Sequence, residues 1–263
     1  MTDMTGVVNN KGRKGKCQEK PWFDLESTKA FRAREADNFH LYRIIPFDIL
    51  LEMLNDKVLT LVPTCKWEDV YENFLFKETI LKNGEKVYTD DMSKRFYGQC
   101  WSSSVSSDAL WRIYSPDKKS VRIRTSFGKM KAILPNDDDY LLGKVQYVYQ
   151  SKIENDLENL RQFTQKQLDT LILESLLVKR NSFSHEKEYR LVCHDNSGSN
   201  TPKPVKLLSI KPDFIERIDF DPRADKVYRD RCKKILVELC HYPEKQIGQS
   251  RLYSFEPKTL NLV

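Results

Sequence analysis

Apolar residues recur along the chain with two periods, and these divide it into strands and helices. Phe39 to Ile45 is dense in aromatic and β-branched residues and stops at Pro46, which predicts a strand. Phe47 to Asn55 carries Ile49, Leu50, Met53 and Leu54 at helical spacing, so a short amphipathic helix follows the proline. Lys57 to Val62 predicts a second strand. Arg95 to Trp101 predicts another, running into Ser102, Ser103 and Ser104. Asp108 suits the N-cap of a short helix bearing Leu110, Trp111 and Tyr114. Ser120 to Ser126 alternates, with Val121 and Ile123 inward. A short helix over Phe127 to Leu134 and a strand over Leu142 to Tyr149 follow. Residues 151–179 keep a helical period through Ile153, Leu157, Leu168, Leu171, Ile172 and Leu176, giving one long or two shorter helices. Strands over Val205 to Ile210 and Phe214 to Phe220, a helix over Tyr228 to Cys240 and a closing strand over Ile247 to Phe255 complete the pattern.

No repeat and no linker composition interrupts this run. It predicts a single α+β domain over 21–263, with a mixed, mostly antiparallel sheet flanked by helices. Residues 1–20 are polar, basic and glycine-bearing, and are expected to be a disordered tail that folding does not need.

Charge and cysteine narrow the setting. The net charge of +6 permits a polyanionic partner without requiring one. The six cysteines, at 17, 65, 100, 193, 232 and 240, form no C-x-x-C pair and no zinc pattern, which points to buried free thiols in a reducing, cytoplasmic setting. No apolar run is long enough to cross a membrane, and the N-terminus carries no apolar signal core. The acidic run Asn136 to Asp139 lacks the spacing of a calcium loop and reads as a turn.

The stretch Ser184-His185-Glu186-Lys187-Glu188-Tyr189-Arg190-Leu191-Val192 concentrates the chemistry. Read as the start of a strand, it puts Glu186, Glu188 and Arg190 on one face. The two carboxylates would then lie about 7 Å apart, too far to share a proton. A reactive edge and a solvated face of alternating charge both fit this pattern.

Several pieces together carry a resemblance. They are Leu41-Tyr42-Arg43 with its helix, Trp67-Glu68-Asp69-Val70-Tyr71-Glu72, Cys100-Trp101-Ser102, Leu110-Trp111-Arg112-Ile113-Tyr114, Glu186-Lys187-Glu188-Tyr189-Arg190, and Gln249-Ser250-Arg251-Leu252 after the last helix. In this order they resemble the bacterial and phage family known as domain of unknown function twenty-nine seventy-one. The strand Val121 to Thr125 departs from it by lacking a glycine. The family name supplies no activity.

A second resemblance does. ADP-ribosyltransferases of the Arg-Ser-Glu class order their site as an early Arg, a Ser-Thr-Ser-like strand and a late Glu-x-Glu. Arg43, Ser102-Ser103-Ser104 and Glu186-Lys187-Glu188 are similar in that order, with a serine in place of the middle threonine. The resemblance implies an ADP-ribosyltransferase-like fold and an NAD-dependent transferase that modifies a protein or nucleic-acid acceptor, as a toxin or phage-defence effector. It implies that Arg43 binds the pyrophosphate, Glu188 holds the ribose hydroxyl beneath the oxocarbenium-like centre, and Ser102 or Ser104 orients Glu188. Glu186 would act on the acceptor nucleophile, and Tyr42, Trp101, Trp111 and Tyr114 would wall the dinucleotide. Each residue alone also has a structural reading, with Arg43 in an ion pair and Trp111 and Tyr114 in the core.

Two other functions fit parts of the chain. Arg122 and Arg124, outward on their strand, with Arg95, Arg112, Lys118 and Lys119 and interleaved with Phe96, Tyr97, Trp101 and Tyr114, would make a basic and aromatic surface for a nucleic-acid- or protein-binding module with no enzyme activity. Asp69, Glu72, Glu186 and Glu188 could gather around magnesium in a metal-dependent nuclease, although the usual Asp…Glu-x-Lys order is incomplete.

Overall fold

The structure is a computed structural model, and it describes residues 21, 23, 33–87, 93–135, 139–160, 164–196 and 203–260. The tail over 1–20 lies outside the described residues. Strand β1 (His40–Ile45) leads through Pro46 into helix α1 (Phe47–Asp56) and strand β2 (Val58–Pro63). A hairpin of β3 (Ile80–Lys82) and β4 (Glu85–Val87) precedes β5 (Phe96–Ser102), helix α2 (Asp108–Tyr114), β6 (Val121–Ser126) and helix α3 (Phe127–Ala132). Next come β7 (Tyr140–Lys144), β8 (Gln146–Val148), helices α4 (Gln150–Asn159) and α5 (Gln165–Ser175), β9 (Val178–Arg180) and β10 (Glu188–His194). The chain closes with β11 (Lys206–Ser209), β12 (Arg217–Phe220), helix α6 (Lys226–Glu238) and β13 (Ile247–Gln249). The fold is α+β, as the pattern implied, with one mostly antiparallel nine-stranded sheet at its centre.

Several boundaries differ from the sequence reading. Leu142 to Tyr149 is two strands, because the chain leaves β10 after Lys144 and joins β9 in a separate parallel pair. The 151–179 stretch is two helices, and its last residues form β9. The α2 N-cap is Ser107, whose hydroxyl accepts the Leu110 N–H, while Asp108 pairs with Arg112. Asp137 and Asp138 lie outside the described residues. The closing strand ends at Gln249. Of the five described cysteines, all free, only Cys193 and Cys232 are buried and Cys65 is exposed. Among the described residues no helix is long and apolar enough to cross a membrane.

Strand β5 organises the sheet. One edge pairs with β10 at seven positions, from Glu188↔Ser102 to His194↔Phe96. The other edge is divided. Its start pairs with β2 at Val62↔Gly98 and Pro63↔Tyr97, and its end pairs with β1 only at Tyr42↔Ser102. Strands β1 and β2 therefore part along the middle of β5, and the edge at Gln99, Cys100 and Trp101 faces a gap. Apolar packing holds this opening on both sides. Leu41, Ile45, Tyr97, Trp101, Val121, Ile123 and Leu191 fill one core with α1, α3 and α6. Phe96, Leu141 and Val192 fill a second core with α4 and α5.

Gly98 is required where Trp67 crosses the sheet. A Cβ there would stand 2.5 Å from Trp67 Cζ2 and 3.3 Å from Thr64 Cγ2. Overpacking of this kind costs about 1–3 kcal/mol. Gly98→Ala is expected to lower the melting temperature by several degrees, measured by calorimetry. An unchanged melting temperature would show that Trp67 does not rest on the strand.

Candidate active site

The gap between β1 and β2 opens into a cavity of about 620 Å³, within the size range of small-molecule sites. Its lining includes all nine residues singled out in the sequence: Tyr42 and Arg43 from β1, Trp101 and Ser102 from β5, Ser104 from the following loop, Trp111 and Tyr114 from α2, and Glu186 and Glu188. Trp101 and Trp111 form its floor, at 2% and 1% exposure. Trp111 is thus both a core residue and a lining residue. Tyr114 lies at the rim, and Tyr42 is buried with the Arg122 guanidinium 5.0 Å over its ring.

Arg43 stands on the β1 side of the gap. Among the described residues no carboxylate pairs with it, so the reading of Arg43 as one half of a structural ion pair does not hold. Burial lowers its pKa, with Cys100 and Tyr114 opposing. Its guanidinium remains charged, and a charged fork at a cavity wall without a counterion is suited to a ligand's phosphate or carboxylate. Cys100 is no nucleophile at neutral pH, because burial and the Glu188 charge push its thiol up to about 12.

Part of the lining belongs to a buried cluster of charge. Lys179 Nζ lies 3.0 Å from Glu72 Oε1 and 3.5 Å from Glu188 Oε1, and forms a close ion pair with Glu186 Oε2. Arg190 donates to Glu188 Oε2 from Nε at 3.0 Å and from a terminal nitrogen at 2.7 Å. It also reaches Glu72 Oε1 at 2.6 Å and the Leu176 carbonyl at 2.8 Å, while Trp67 covers its guanidinium at 4.5 Å. All five charged residues are at most 6% exposed. Three carboxylates thus share two cations. Charges this deeply buried persist only when paired.

The sequence reading of this region needs three corrections. Residues Asn181–Glu186 form a 3₁₀ turn, and β10 begins at Glu188. Lys187 between them is left-handed, with φ 48° and ψ 52°. Glu186 is therefore not on the strand face of Glu188 and Arg190. The kink brings both carboxylates to the same ammonium, so they are not held apart by strand rise. Second, neither serine hydroxyl bonds Glu188. Ser102 Oγ donates to the Glu186 carbonyl at 2.6 Å and accepts the Ser104 N–H at 2.9 Å, while Ser104 Oγ bonds the Ser106 carbonyl. Ser102 fixes the backbone that carries Glu186. Third, Arg122 and Arg124 do not form a basic surface. Arg122 pairs with Asp219 at 2.8 Å, and Arg124 lies 3.5 Å from Glu216.

The nuclease arrangement also fails on geometry. Glu72, Glu186 and Glu188 converge on Lys179, and Asp69 Oδ1 is bound by Arg180 at 2.9 Å. Among the described residues no group of acidic, histidine or cysteine side chains is placed to hold a metal ion.

The two glutamates differ. Glu188 has Arg190 on one oxygen and Lys179 on the other, whereas Glu186 has Lys179 and the Tyr114 hydroxyl, which donates at 3.4 Å. Burial, followed by the Glu188 charge, raises the Glu186 pKa against the pull of Lys179. Burial therefore favours the protonated form of Glu186 more than solvent would. Because its folded-state pKa is raised, the stability tied to that proton is full below the ordinary glutamate range and is lost as pH rises through the raised value. Burial also opposes the charge on Lys179, yet Glu188, Glu72 and Glu186 outweigh it and push the lysine pKa up.

Sequence reasoning missed Lys179 and the structural part played by Glu72. Lys179 follows an unbroken apolar run and was absorbed into the predicted helix. The signal available was the polar pair Lys179-Arg180 after β-branched Val178.

The left-handed kink at Lys187 offers a test. A non-glycine residue there is disfavoured by about 1–2 kcal/mol. Lys187→Gly is expected to keep or raise the melting temperature, and Lys187→Val to lower it by several degrees. Equal melting of the two variants would show that the chain does not turn at this residue.

Comparison with known proteins returns a family and loose structural likenesses. No curated protein matches the chain. Among solved structures it is similar to Thermus sp. 2.9 DarT in complex with ADP-ribosylated ssDNA, with TM-score 0.41 and 11% identity over 85% of this chain and 100% of that one. It is similar also to Thermus sp. 2.9 DarT in complex with carba-NAD+, with TM-score 0.38 and 11% identity over 84% of this chain and 100% of that one. Likeness this loose gives no residue correspondence. Residues 110–191 match the family model described as "Protein of unknown function (DUF2971)", the family that the sequence resembles, and that segment carries Trp111, Tyr114, Lys179, Glu186 and Glu188.

Proposed function

We propose that this chain is an NAD-dependent ADP-ribosyltransferase acting on a macromolecular acceptor, protein or nucleic acid. One observation carries the reading: a single cavity is lined by an arginine with no counterion among the described residues, by a buried glutamate pair and by two tryptophans. These are the groups the reaction needs. NAD presents a pyrophosphate, a flat ring and a ribose whose C1′ becomes oxocarbenium-like when nicotinamide leaves. Arg43 takes the pyrophosphate by a forked, charge-assisted contact. Trp101 and Trp111, with Tyr42 and Tyr114, enclose the dinucleotide and keep out water. Ser104 lies at the same wall and offers its hydroxyl to the ligand.

The glutamates divide the chemistry. Glu188, gripped by Arg190 and Lys179, accepts a hydrogen bond from the ribose hydroxyl and places negative charge beneath C1′. Glu186 removes the proton from the acceptor nucleophile as that group attacks C1′, the C1′–nitrogen bond breaks, and nicotinamide leaves with the bonding electrons. Ser102 serves by holding the Glu186 backbone. Glu186 must be ionised to accept the proton, and its pKa is raised by burial and by the Glu188 charge. Transfer therefore gains its base form only above the usual glutamate range, and the rate rises with pH through that raised value.

The test is nicotinamide release and acceptor labelling with cell lysate. Glu188→Gln keeps the fold and NAD binding and lowers turnover by about a hundredfold or more, as loss of a preorganised charge does. Arg43→Ala weakens NAD binding instead, since the phosphate contact exists already in the ground state. Glu186→Gln impairs transfer more than NAD hydrolysis and removes the acid limb of the transfer profile. If the unaltered chain neither binds nor cleaves NAD with lysate present, the transferase reading is wrong.

A further inference from the structure

We propose that Lys179 is the positioning residue of the glutamate pair: its ammonium binds Glu186 and Glu188 into one unit at the cavity wall and assigns the shared proton to Glu186. This deepens the transferase reading and rests on it for its catalytic meaning, but the claim about the proton concerns the protein alone.

The geometry carries the argument. Lys179 comes from β9, Glu186 from the end of the 3₁₀ turn and Glu188 from the first residue of β10. Among the described residues Lys179 is the one cation that reaches Glu72, Glu186 and Glu188 together. The ammonium donates hydrogen bonds to Glu186 and Glu188 and forms an ion pair with Glu72 at 3.0 Å. The Phe183 ring lies beneath the ammonium at 4.8 Å. The remaining groups facing the pair are fixed. Arg190 and Cys100 stand beside Glu188, the Tyr147 hydroxyl accepts the Glu188 backbone N–H at 2.8 Å, and the Tyr114 hydroxyl points at Glu186.

Charge counting then locates the proton. Glu72, Glu186 and Glu188 bring three negative charges, and Lys179 and Arg190 bring two positive ones. Among the described residues Arg43, which lines the same cavity, pairs with none of the three, so full ionisation leaves one buried negative charge without a cation in contact, which is unfavourable. Arg190 grips Glu188 and Glu72, and both also touch Lys179. Glu186 has a single cation. Protonating Glu186 therefore sacrifices one ion pair and leaves the other two carboxylates doubly paired. The arrangement leaves Glu188 held by two cations and Glu186 by one, so Glu186 is the carboxylate placed to exchange a proton with whatever enters the cavity. A lysine serves here and an arginine would not, because a planar fork aims its donors in one plane and these three carboxylates come from three directions.

The experiment follows Lys179 Nζ by nitrogen NMR and the glutamate carboxyl carbons by carbon NMR across pH, in the unaltered full chain. The Lys179 signal is expected to shift with the same midpoint as Glu186. A Lys179 signal that ignores the Glu186 midpoint overturns the proposal. Lys179→Met alone leaves three carboxylates against one cation, so the variant used is Lys179→Met with Glu72→Gln, which retains the net charge. In it the Glu186 midpoint is expected to rise by about 1–3 pH units, the usual effect of losing an adjacent opposite charge. An unchanged midpoint overturns the proposal, and if the double variant does not fold, the titration of the unaltered chain decides. In nicotinamide release the acid limb moves up with that midpoint. The titration uses no dinucleotide, so the two ideas fail separately. A chain that cleaves NAD while Lys179 fails to track Glu186 refutes only the positioning role. A chain in which Lys179 tracks Glu186 while NAD is untouched refutes only the transferase reading.

Discussion

Three buried carboxylates share two cations at one end of the cavity, and much of the surrounding structure exists to make that tolerable. Glu72, Glu186 and Glu188 come from three parts of the chain, and each would be strongly unfavourable there alone. Lys179 and Arg190 bind them into a set, the Leu176 carbonyl takes a further Arg190 proton, and Trp67 covers the guanidinium. Removing one cation would strand a charge and cost about 3–5 kcal/mol, more than any single apolar contact nearby. Such a cluster adds little to stability for its size. Its effect is to hold charge in a fixed place, which is what the proposed transferase reaction would ask of a site for an oxocarbenium-like centre.

The sheet places that charge beside an opening. Strand β5 gives one whole edge to β10 and divides the other between β2 and β1, so the cavity forms where two strands separate. The walls inherit different chemistry from this split. Strand β1 contributes Arg43, β5 contributes the aromatic floor through Trp101, and β10 with β9 contributes the charge cluster. Gly98 is the point at which the arrangement is tightest, since Trp67 must pass over the strand to reach Arg190.

Much of the fold was legible in the sequence because alternation and helical spacing report which face is buried. Val121 and Ile123 were read as inward and are fully buried, and β1, α1 and β6 lie within a residue or two of their expected bounds. The site was legible as a set of residues and not as a geometry. All nine side chains line one cavity, yet the link between them is Lys179, which an apolar period could not separate from helix α5. The alternation Glu186-Lys187-Glu188 likewise conceals the left-handed backbone at Lys187, because a long polar side chain gives no sign of positive φ. Ser102 lines the cavity, but the partner expected for it, Glu188, is not the one it bonds, since a hydroxyl does not reveal in sequence whether it will bond a carboxylate or a carbonyl. Arg122 and Arg124 show the opposite failure: their outward positions were readable, but Asp219 and Glu216, nearly a hundred residues later, were needed to see them neutralised.

The most direct measurement is a crystal structure of the chain with a non-hydrolysable NAD analogue. The pyrophosphate should lie within hydrogen-bond reach of the Arg43 guanidinium, the nicotinamide ribose hydroxyl should meet the Glu188 carboxylate, and the nicotinamide should rest against the Trp101 and Trp111 floor. A dinucleotide bound elsewhere, or with its phosphates turned toward Glu186 and Glu188, would contradict the assignment of this cavity to NAD.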